Sequence, residues 1–456
     1  MSLQAPRGTR DILAPDSARL RALVETFATA AELAGYGQVV SPMFEQIEVF
    51  RRVGEATDIV SKEMYQFRDP GDRHLALRPE LTASVARAFV QHRPPLPWKA
   101  WYEGPQFRYE KPQAGRFRQF NQVGVELFGS DDPQADVEVI ALAWRFCTAL
   151  GLRELRLVVN SLGDRADRET YLAALAAYIA QRAGELSAQG RETLGRNPLR
   201  LLDSKRPEDL AVVAGAPVID DYWSAAAAGH FAAVLSGLEA LGIPFERNPR
   251  LVRGLDYYRR TAFELASDAL DGAQDAVGGG GRYDGLVADL GGPDTPGVGF
   301  ALGVDRLLLA CDTEGVFPAP SVAADVYVVD VTGGGEATLL AEELRRAGIR
   351  VERAFDGRSM KAQMKAADRS GARWALLVGP DELADGLVSL RDLRGPAPPT
   401  SGRARTVGER SDGFDPPEAS VHGAGGPAPP AQTSVSRNAI VGELVSRLAA
   451  QEGSAP

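Results

Sequence analysis

An amphipathic helix opens the chain. Five apolar side chains recur at helical spacing, and Asp16 or Ser17 can cap the helix before Gly35 ends it. The apolar residues are Leu20, Leu23, Val24, Phe27 and Ala31. The next segment, QVVSPMFE, is typical of a strand that Pro42 interrupts.

Residues 107–126 combine partly alternating side chains with a central Pro-Gln-Ala-Gly turn, which predicts two antiparallel strands and a loop. We expect Arg108 and Glu110 on one face of the first strand, and Gln122, Gly124 and Glu126 on one face of the second. Cations alternate with aromatic rings along this hairpin: Arg108, Lys111, Arg116 and Arg118 with Phe107, Tyr109, Phe117 and Phe120. Such a hairpin could hold a nucleotide and an amino group. A solvated amphipathic hairpin is the alternative.

Further along the chain the pattern changes twice. Residues from about 165 to 245 are Ala-rich, with apolar and aromatic side chains at helical spacing, and the segment contains no recognisable catalytic or binding motif. From Asp325 a βαβαβ–β series follows, in which residues 353–373 carry six cations and two anions, a local excess suited to RNA phosphates. A solvated basic helix explains those charges equally simply.

Residues 396–434 contain eight prolines and six glycines in 39 residues. This composition is that of low-complexity chain, and it holds too few apolar residues to offset the entropy of ordering. We therefore expect a flexible, disordered insertion before a final helix, AIVGELVSRLAA.

Composition limits the classes of function. A chain of 456 residues, 44% hydrophobic and 25% charged, suggests a soluble protein of about three domain-sized units. The net charge of −10 argues against general DNA or RNA binding, so RNA contacts must use local basic surfaces. Cys147 and Cys311 lack metal-ligand spacing, which favours a reducing compartment. With no apolar run of membrane-spanning length and no signal-peptide core, we expect a cytoplasmic protein.

Four further segments carry candidate chemistry. In LALRPELTA, the turn at Pro79 could present the Glu80 carboxylate to an ammonium group, although a salt-bridged strand end is the alternative. RGLDYY (253–258) places Arg253 beside Tyr257 and Tyr258. GGGGRYDGL (278–286) holds a glycine run that allows close backbone approach to a ligand. GVGFALGVDRLLLA (297–310) ends in a helix that starts near Arg306, where an anion is favoured.

Together these motifs resemble histidyl-tRNA synthetases of class II. The pattern F-R-x-E, basic loop, R-x-x-F and the sequence NQVGVELFG are similar to motif 2, and GVGFALGVDRLLLA is similar to motif 3 with Asp305 where glutamate is common. The opening PRGTRDILAP, RGLDYY and GGGGRYDGL match family signatures, whereas Leu81 replaces the usual glycine of LRPEGTA.

The resemblance implies a fold. We expect an α+β catalytic core over residues 1–322 with a mixed or antiparallel sheet and a helical insertion at about 165–245. A C-terminal α/β anticodon-binding domain would follow over 323–456, interrupted by the disordered insertion at about 396–434. The first helix and strand look like motif 1, which implies a homodimer.

The resemblance also implies an activity and its residues. The chain would activate L-histidine with ATP, with Mg²⁺ bound to the ATP rather than to a protein-only site, and charge the tRNA for histidine. Arg108 and Arg253 would be catalytic. Both would also contact histidine. The remaining implied histidine contacts are Glu80, Leu81, Thr82, Gln122, Glu126, Tyr257, Tyr258 and Tyr283. ATP would contact Arg108, Glu110, Phe120 and Arg306, and the tRNA acceptor end would contact Gln113 and Arg116.

A second function shares the same core. The regulatory paralogue of ATP phosphoribosyltransferase senses histidine without catalysis and typically lacks the anticodon domain. Retention of Arg108, Glu110, Arg253 and Arg306, together with the α/β series after Asp325, favours the enzyme.

Overall fold

The computed structural model describes residues 3–54, 57, 59–196, 198–202, 204, 206–252, 257–270, 275–395 and 432–452. The chain forms two compact units, Met1–Pro320 and Ser321–Pro456. Among the described helices, none combines the length and the apolar character needed to cross a membrane. Cys147 and Cys311 are unbonded and buried in the first unit.

The helices of the first unit are α1 (Asp16–Glu32), α2 (Glu48–Gly54), α3 (Thr82–His92), α4 (Pro133–Ala149), α5 (Arg165–Ala180), α6 (Ala188–Arg196), α7 (Pro207–Ala214), α8 (Ala225–Ala240), α9 (Leu286–Asp289) and α10 (Val304–Glu314). Its strands are β1 (Gly37–Gln38), β2 (Phe44–Gln46), β3 (Gln66–Arg68), β4 (His74–Leu77), β5 (Trp98–Phe107), β6 (Gln119–Phe128), β7 (Leu155–Ser161), β8 (Glu246–Arg247), β9 (Arg259–Ser267), β10 (Ala276–Arg282) and β11 (Gly297–Gly303). One turn of π-helix occupies Ile59–Glu63, and 3₁₀ turns occupy Ala183–Glu185, Pro198–Leu201 and Ile219–Tyr222.

A mixed, mainly antiparallel sheet organises the first unit. Its strand order is β1-β5-β6-β11-β10-β9-β7-β8, with parallel pairs only at the two ends. One face packs on α1, α4 and α8 through apolar side chains that include Phe27, Phe146 and Phe300, each at most 1% exposed. A smaller sheet, β2-β4-β3, lies beside it. The helices α5–α7 bury a core of their own around Tyr171, as expected for an insertion without visible chemistry.

The basic hairpin forms with one correction. Strands β5 and β6 pair without interruption from Trp98↔Phe128 to Phe107↔Gln119. Arg108 and Glu110 therefore lie in the loop 108–118 and not on the first strand. The Glu110 amide donates to the Arg108 carbonyl (2.8 Å), a tight turn that ends the extended backbone two residues before the proline.

The second unit is a five-stranded α/β sheet. Its elements are β12 (Val326–Asp330), α11 (Gly335–Arg346), β13 (Val351–Arg353), α12 (Met360–Arg369), β14 (Trp374–Val378), α13 (Pro380–Asp385), β15 (Leu387–Asp392), β16 (Gln432–Ser436) and α14 (Ile440–Glu452). The strand order is β13-β12-β14-β15-β16. Parallel β13, β12 and β14 give the predicted βαβαβ series, and β15 pairs antiparallel with β14.

The predicted disordered insertion extends too far at its C-terminal end. Residues 432–434 belong to β16, which pairs antiparallel with β15 from Leu387↔Ser436 to Arg391↔Gln432. The alternating sequence QTSVS forms an edge strand, but the proline- and glycine-rich residues before it dominate the local composition. Residues 396–431 lie outside the described residues.

This pairing gives a first testable prediction. Because Arg391 and Gln432 are direct partners about one strand spacing apart, roughly 5 Å, residues 392–395 and a short turn have only that distance to span. We expect a Gly/Ser turn of about four residues in place of 396–431 to preserve thermal unfolding and tRNA charging within about threefold. A loss of charging by a folded variant would assign an RNA-binding role to the segment.

Candidate active site

Most of the predicted site residues line one cleft of about 270 Å³ in the first unit. The cleft receives side chains from the start of α3, the loop 108–118, β6, the β10–β11 pair and the start of α10. The predicted residues that line it are Glu80, Thr82, Arg108, Glu110, Arg116, Phe120, Gln122, Tyr257, Tyr258 and Arg306.

Two buried acceptor oxygens of cleft residues receive no hydrogen bond from the part of the chain that the structure describes. Glu80 Oε1 accepts the Ala83 amide at the start of α3 (2.9 Å), but buried Glu80 Oε2 has no hydrogen-bond partner among the described residues. Burial raises the Glu80 pKa, and the Ala83 and Thr82 amides and the Arg108 charge oppose this. Buried Gln122 Oε1 likewise receives no hydrogen bond from the described chain. An ammonium group is a suitable shared donor for these two oxygens.

Glu126 lies fully buried on β6 behind Thr82. Its Oε1 accepts the hydroxyls of Thr82 (2.6 Å) and Tyr102 (3.0 Å), and its Oε2 accepts the hydroxyl of Tyr283. Burial raises the Glu126 pKa to about 8, although the Thr82 and Tyr283 hydroxyls act in the opposite direction. None of the ion pairs among the described residues includes Glu126. The donors to Glu126 are thus neutral hydroxyls, and an N–H group of a ligand can replace one of them.

Glycines on β11 and β6 make this arrangement possible. A Cβ atom at Gly299 would clash with the Glu126 carboxylate, and one at Gly297 would overlap the Tyr283 ring. A Cβ at Gly124 would clash with Tyr102. The glycine spacing seen in the sequence thus creates the space that Glu126 and its hydroxyl donors occupy.

Three tyrosines enclose the same region. The ring centroids of Tyr257 and Tyr258 are 4.7 Å apart, and Tyr283 lies 5.8 Å from Tyr257 and 6.4 Å from Tyr258. Burial raises the pKa of the Tyr257 and Tyr283 hydroxyls well above the ordinary value, which keeps both as neutral donors. The three rings pack against one another, and Tyr257 and Tyr258 form part of the cleft wall.

The other end of the cleft is cationic and aromatic. Arg108 Nε donates to the Pro79 carbonyl (2.9 Å), and its guanidinium carbon lies 5.2 Å from the Phe120 ring centroid. Glu110 lies between Arg108 (3.8 Å) and Arg116 (3.5 Å). Arg306 Nε donates to the Ala276 carbonyl (2.6 Å), and burial, with the Arg116 charge, lowers its pKa. A nucleoside triphosphate matches three cations around an aromatic face.

Glu126 and Tyr283 are buried and do not line the cleft, and Leu81 and Gln113 do not line it either. Leu81 directs its side chain into the core (1% exposed), at a φ of −107° that needs no glycine. The substitution therefore leaves the α3 start unstrained, but the Leu81 side chain does not line the cleft. Gln113 is exposed at the loop tip, where it forms two backbone hydrogen bonds with Arg116. Arg253 lies outside the described residues.

Sequence reasoning missed several cleft residues. Tyr102 is the third hydroxyl donor to Glu126, and Phe117, Glu264 and Asp305 line the cleft. Tyr102 faces Gly124 across the β5–β6 ladder, a partner that the hairpin register could have identified. Within the described part of the chain, no cluster of three or more His, Cys, Asp or Glu residues could hold a metal ion.

Comparison with known proteins assigns the family. The Histidyl-tRNA synthetase family profile matches residues 8–307, and an Anticodon binding domain profile matches residues 325–405. The chain belongs to the histidyl-tRNA synthetase family. Relatives in this family include the histidine–tRNA ligase of Desulforudis audaxviator, 50% identical over 401 residues, 86% of this chain and 94% of that protein.

Two further family members match along nearly the full length. The histidine–tRNA ligase of Mycobacterium tuberculosis H37Rv is 46% identical over 454 residues, 98% of this chain and 99% of that protein. The structure of apo histidyl-tRNA synthetase from Staphylococcus aureus aligns with a TM-score of 0.76 at 33% identity, covering 97% of this chain and 100% of that one. The class II fold and the C-terminal anticodon-binding domain expected from the sequence are thus confirmed.

Proposed function

We propose that the chain is an ATP-dependent histidine–tRNA ligase. The observation that carries the proposal is the composition of the cleft in the first unit. One end offers two buried oxygens that accept no hydrogen bond from the described residues, beside a buried carboxylate and tyrosines, and the other offers three arginines and Phe120. An amino acid and a nucleotide bound at these two ends would meet near Arg108.

Histidine occupies the first end. Its ammonium group donates to Glu80 Oε2 and Gln122 Oε1, and its imidazole N–H donates to Glu126 beside the tyrosines. Glu126 and the Tyr283 hydroxyl supply the polar contacts that a phenylalanine or leucine side chain could not satisfy. Glu126 already accepts three hydroxyls in the free protein, so what an apolar side chain lacks is the charge-assisted hydrogen bond that the imidazole N–H forms with it.

ATP occupies the second end as its magnesium complex. The adenine stacks on Phe120 beside Glu110, and Arg306 binds the terminal phosphate. The histidine carboxylate then attacks the α-phosphorus, pyrophosphate leaves, and a terminal adenosine hydroxyl of tRNA later takes the histidyl group while AMP departs. Arg108 and, from its RGLDYY position, Arg253 neutralise charge on the α-phosphate.

Two surfaces are proposed to contact tRNA. Gln113 and Arg116 at the tip of loop 108–118 face the acceptor end. In the second unit, a cavity of about 670 Å³ lies beyond the carboxyl ends of β12 and β13. Phe355 is 63% exposed at this cavity, with Arg353 over its ring (4.6 Å), which suits a base and its phosphate.

A homodimer formed through the motif 1 region is also proposed. Val40, Met43, Phe44 and Phe67 are large apolar side chains that remain 40–85% exposed on this part of the first unit. Exposed apolar side chains that lie close together, in sequence or on the strands of one small sheet, favour a protein partner. Cytoplasmic localisation accords with two unpaired cysteines.

The test of the proposed function is histidine-dependent exchange of labelled pyrophosphate into ATP, followed by charging of tRNA. We expect exchange with histidine and none with phenylalanine or leucine. Histidine binding by a folded, magnesium-supplied protein that shows no exchange would instead support the histidine-sensing regulatory function. The cleft arginines and the second unit argue against that alternative.

A further inference from the structure

The N-terminal segment contacts the nucleotide end of the cleft. We define the N-terminal strap as residues 6–10, whose turn is closed by the Thr9 amide on the Pro6 carbonyl (3.0 Å). The Gly8 carbonyl accepts the Arg118 amide (2.7 Å) at the end of loop 108–118. Gly8 has a φ of +85°, and a Cβ there would crowd the Arg118 side chain, so the close approach requires glycine.

Arg10 links the strap to two cleft residues. Its guanidinium lies 4.2 Å from the ring centroid of Phe117, and its Nη2 donates to Asp305 Oδ1 (2.7 Å). Asp305 Oδ2 accepts the amide of Asn121 (3.2 Å), the residue between Phe120 and Gln122 on β6. A continuous set of contacts therefore runs from the strap to the centre of the cleft.

The ion pair between Arg10 and Asp305 matters because it neutralises a carboxylate at the nucleotide end of the cleft. The carboxylate side chain is only 8% exposed, lines the cleft and immediately precedes Arg306. A partly buried anion at this place would repel a polyphosphate and compete for Arg306, unless a cation neutralises it. Arg10 is the cation that forms an ion pair with Asp305 among the described residues.

We propose that Arg10 is a positioning residue for ATP, which neutralises Asp305 and holds Phe117 against the cleft. This role goes beyond the proposed function, because it assigns the N-terminal strap to the nucleotide site, and it rests on ATP being the ligand there. The described residues proposed to contact histidine lie at the other end of the cleft, and none of them is a direct partner of the strap.

The test measures MgATP binding directly, by equilibrium dialysis without histidine. Arg10→Ala is expected to weaken MgATP binding by about tenfold while histidine binding stays within about twofold. The double variant Arg10→Ala/Asp305→Asn, which removes the uncompensated anion, is expected to recover most of the loss. Arg10→Lys retains the charge but not the planar contact with Phe117, so it should lie between these results.

Arg7→Ala is the matched control. Arg7 is exposed in the same strap, has the same charge, and forms no ion pair with any described residue. Equal MgATP affinity in Arg10→Ala and Arg7→Ala would overturn the proposal, as would a loss of MgATP binding that Asp305→Asn does not relieve. A parent protein that binds MgATP in an Arg10-dependent way but shows no pyrophosphate exchange would refute the ligase function and leave the strap inference intact.

Discussion

Arg108→Lys is expected to slow histidyl-adenylate formation by about 10²-fold or more, as for removal of one electrostatic donor from an active site. Its Nε contact with the Pro79 carbonyl and its position over Phe120 fix the plane of the guanidinium. The remaining N–H groups can then contact the α-phosphate and the histidine carboxylate together. Lysine supplies a point charge that cannot reproduce this geometry.

The measurement is single-turnover formation of histidyl-adenylate, with separate binding constants for histidine and MgATP. Both affinities should change by less than about tenfold, because the contact strengthens towards the transition state. Arg21→Lys, on the exposed face of α1, is the control. A near-normal rate, or a lower rate explained entirely by unfolding at the assay temperature, would remove Arg108 from the catalytic residues.

Local patterns predicted several elements of the site. Alternation identified β6, so Gln122, Gly124 and Glu126 could be placed on one face, and the Gly299 and Glu126 contacts agree with that face. Helical spacing identified α1 and α10. In each case the signal came from neighbours within a few residues, where backbone geometry determines side-chain direction.

Contacts between distant segments had no such signal. Arg10 and Asp305 are 295 residues apart, and nothing in either segment alone indicates their ion pair. Tyr102 could be identified only through the register of β5 with β6, which places it opposite Gly124. β16 was missed because its pairing with β15 outweighs a composition typical of disorder just before it. Tertiary pairing decided each of these features.

Leu81 shows how a departure from a family pattern can be resolved by structure. A leucine in place of glycine suggested a blocked backbone approach to the ligand. The residue instead has a negative φ, and its side chain packs in the core with Val85 and Phe89. The side chains of this turn that line the cleft are Glu80 and Thr82, on either side of Leu81.

Glu126→Gln is expected to raise the KM for histidine by about 10²-fold and leave the KM for ATP unchanged, since the buried site is built for one polar ring. The carboxylate accepts three hydroxyls and, as an anion, a charge-assisted bond from an imidazole N–H. In glutamine one of the two acceptor atoms becomes an NH₂ group. A hydroxyl or the imidazole then loses its acceptor.

The pH dependence separates this effect from unfolding. The Glu126 pKa is raised from 4.5 to about 8, so the folded protein binds this proton more tightly than the unfolded chain does. The resulting stabilisation is complete below pH 4.5 and is lost as the pH rises from 4.5 to about 8. Glutamine resembles the protonated acid in shape and charge and cannot titrate. Relative to the parent, Glu126→Gln should therefore gain thermal stability as the pH approaches 8.

Thermal unfolding between pH 5 and 9 tests the predicted gain in stability. Histidine kinetics at pH 8 test the predicted rise in KM. Glu103→Gln is the matched control, because Glu103 is exposed on the neighbouring strand β5. It should alter neither the KM for histidine nor the pH profile of stability. A normal KM for histidine in Glu126→Gln would show that the imidazole binds elsewhere. A raised KM that accompanies lower stability at every pH would show that Glu126 only supports the fold, with Thr82 and the tyrosines as its structural partners.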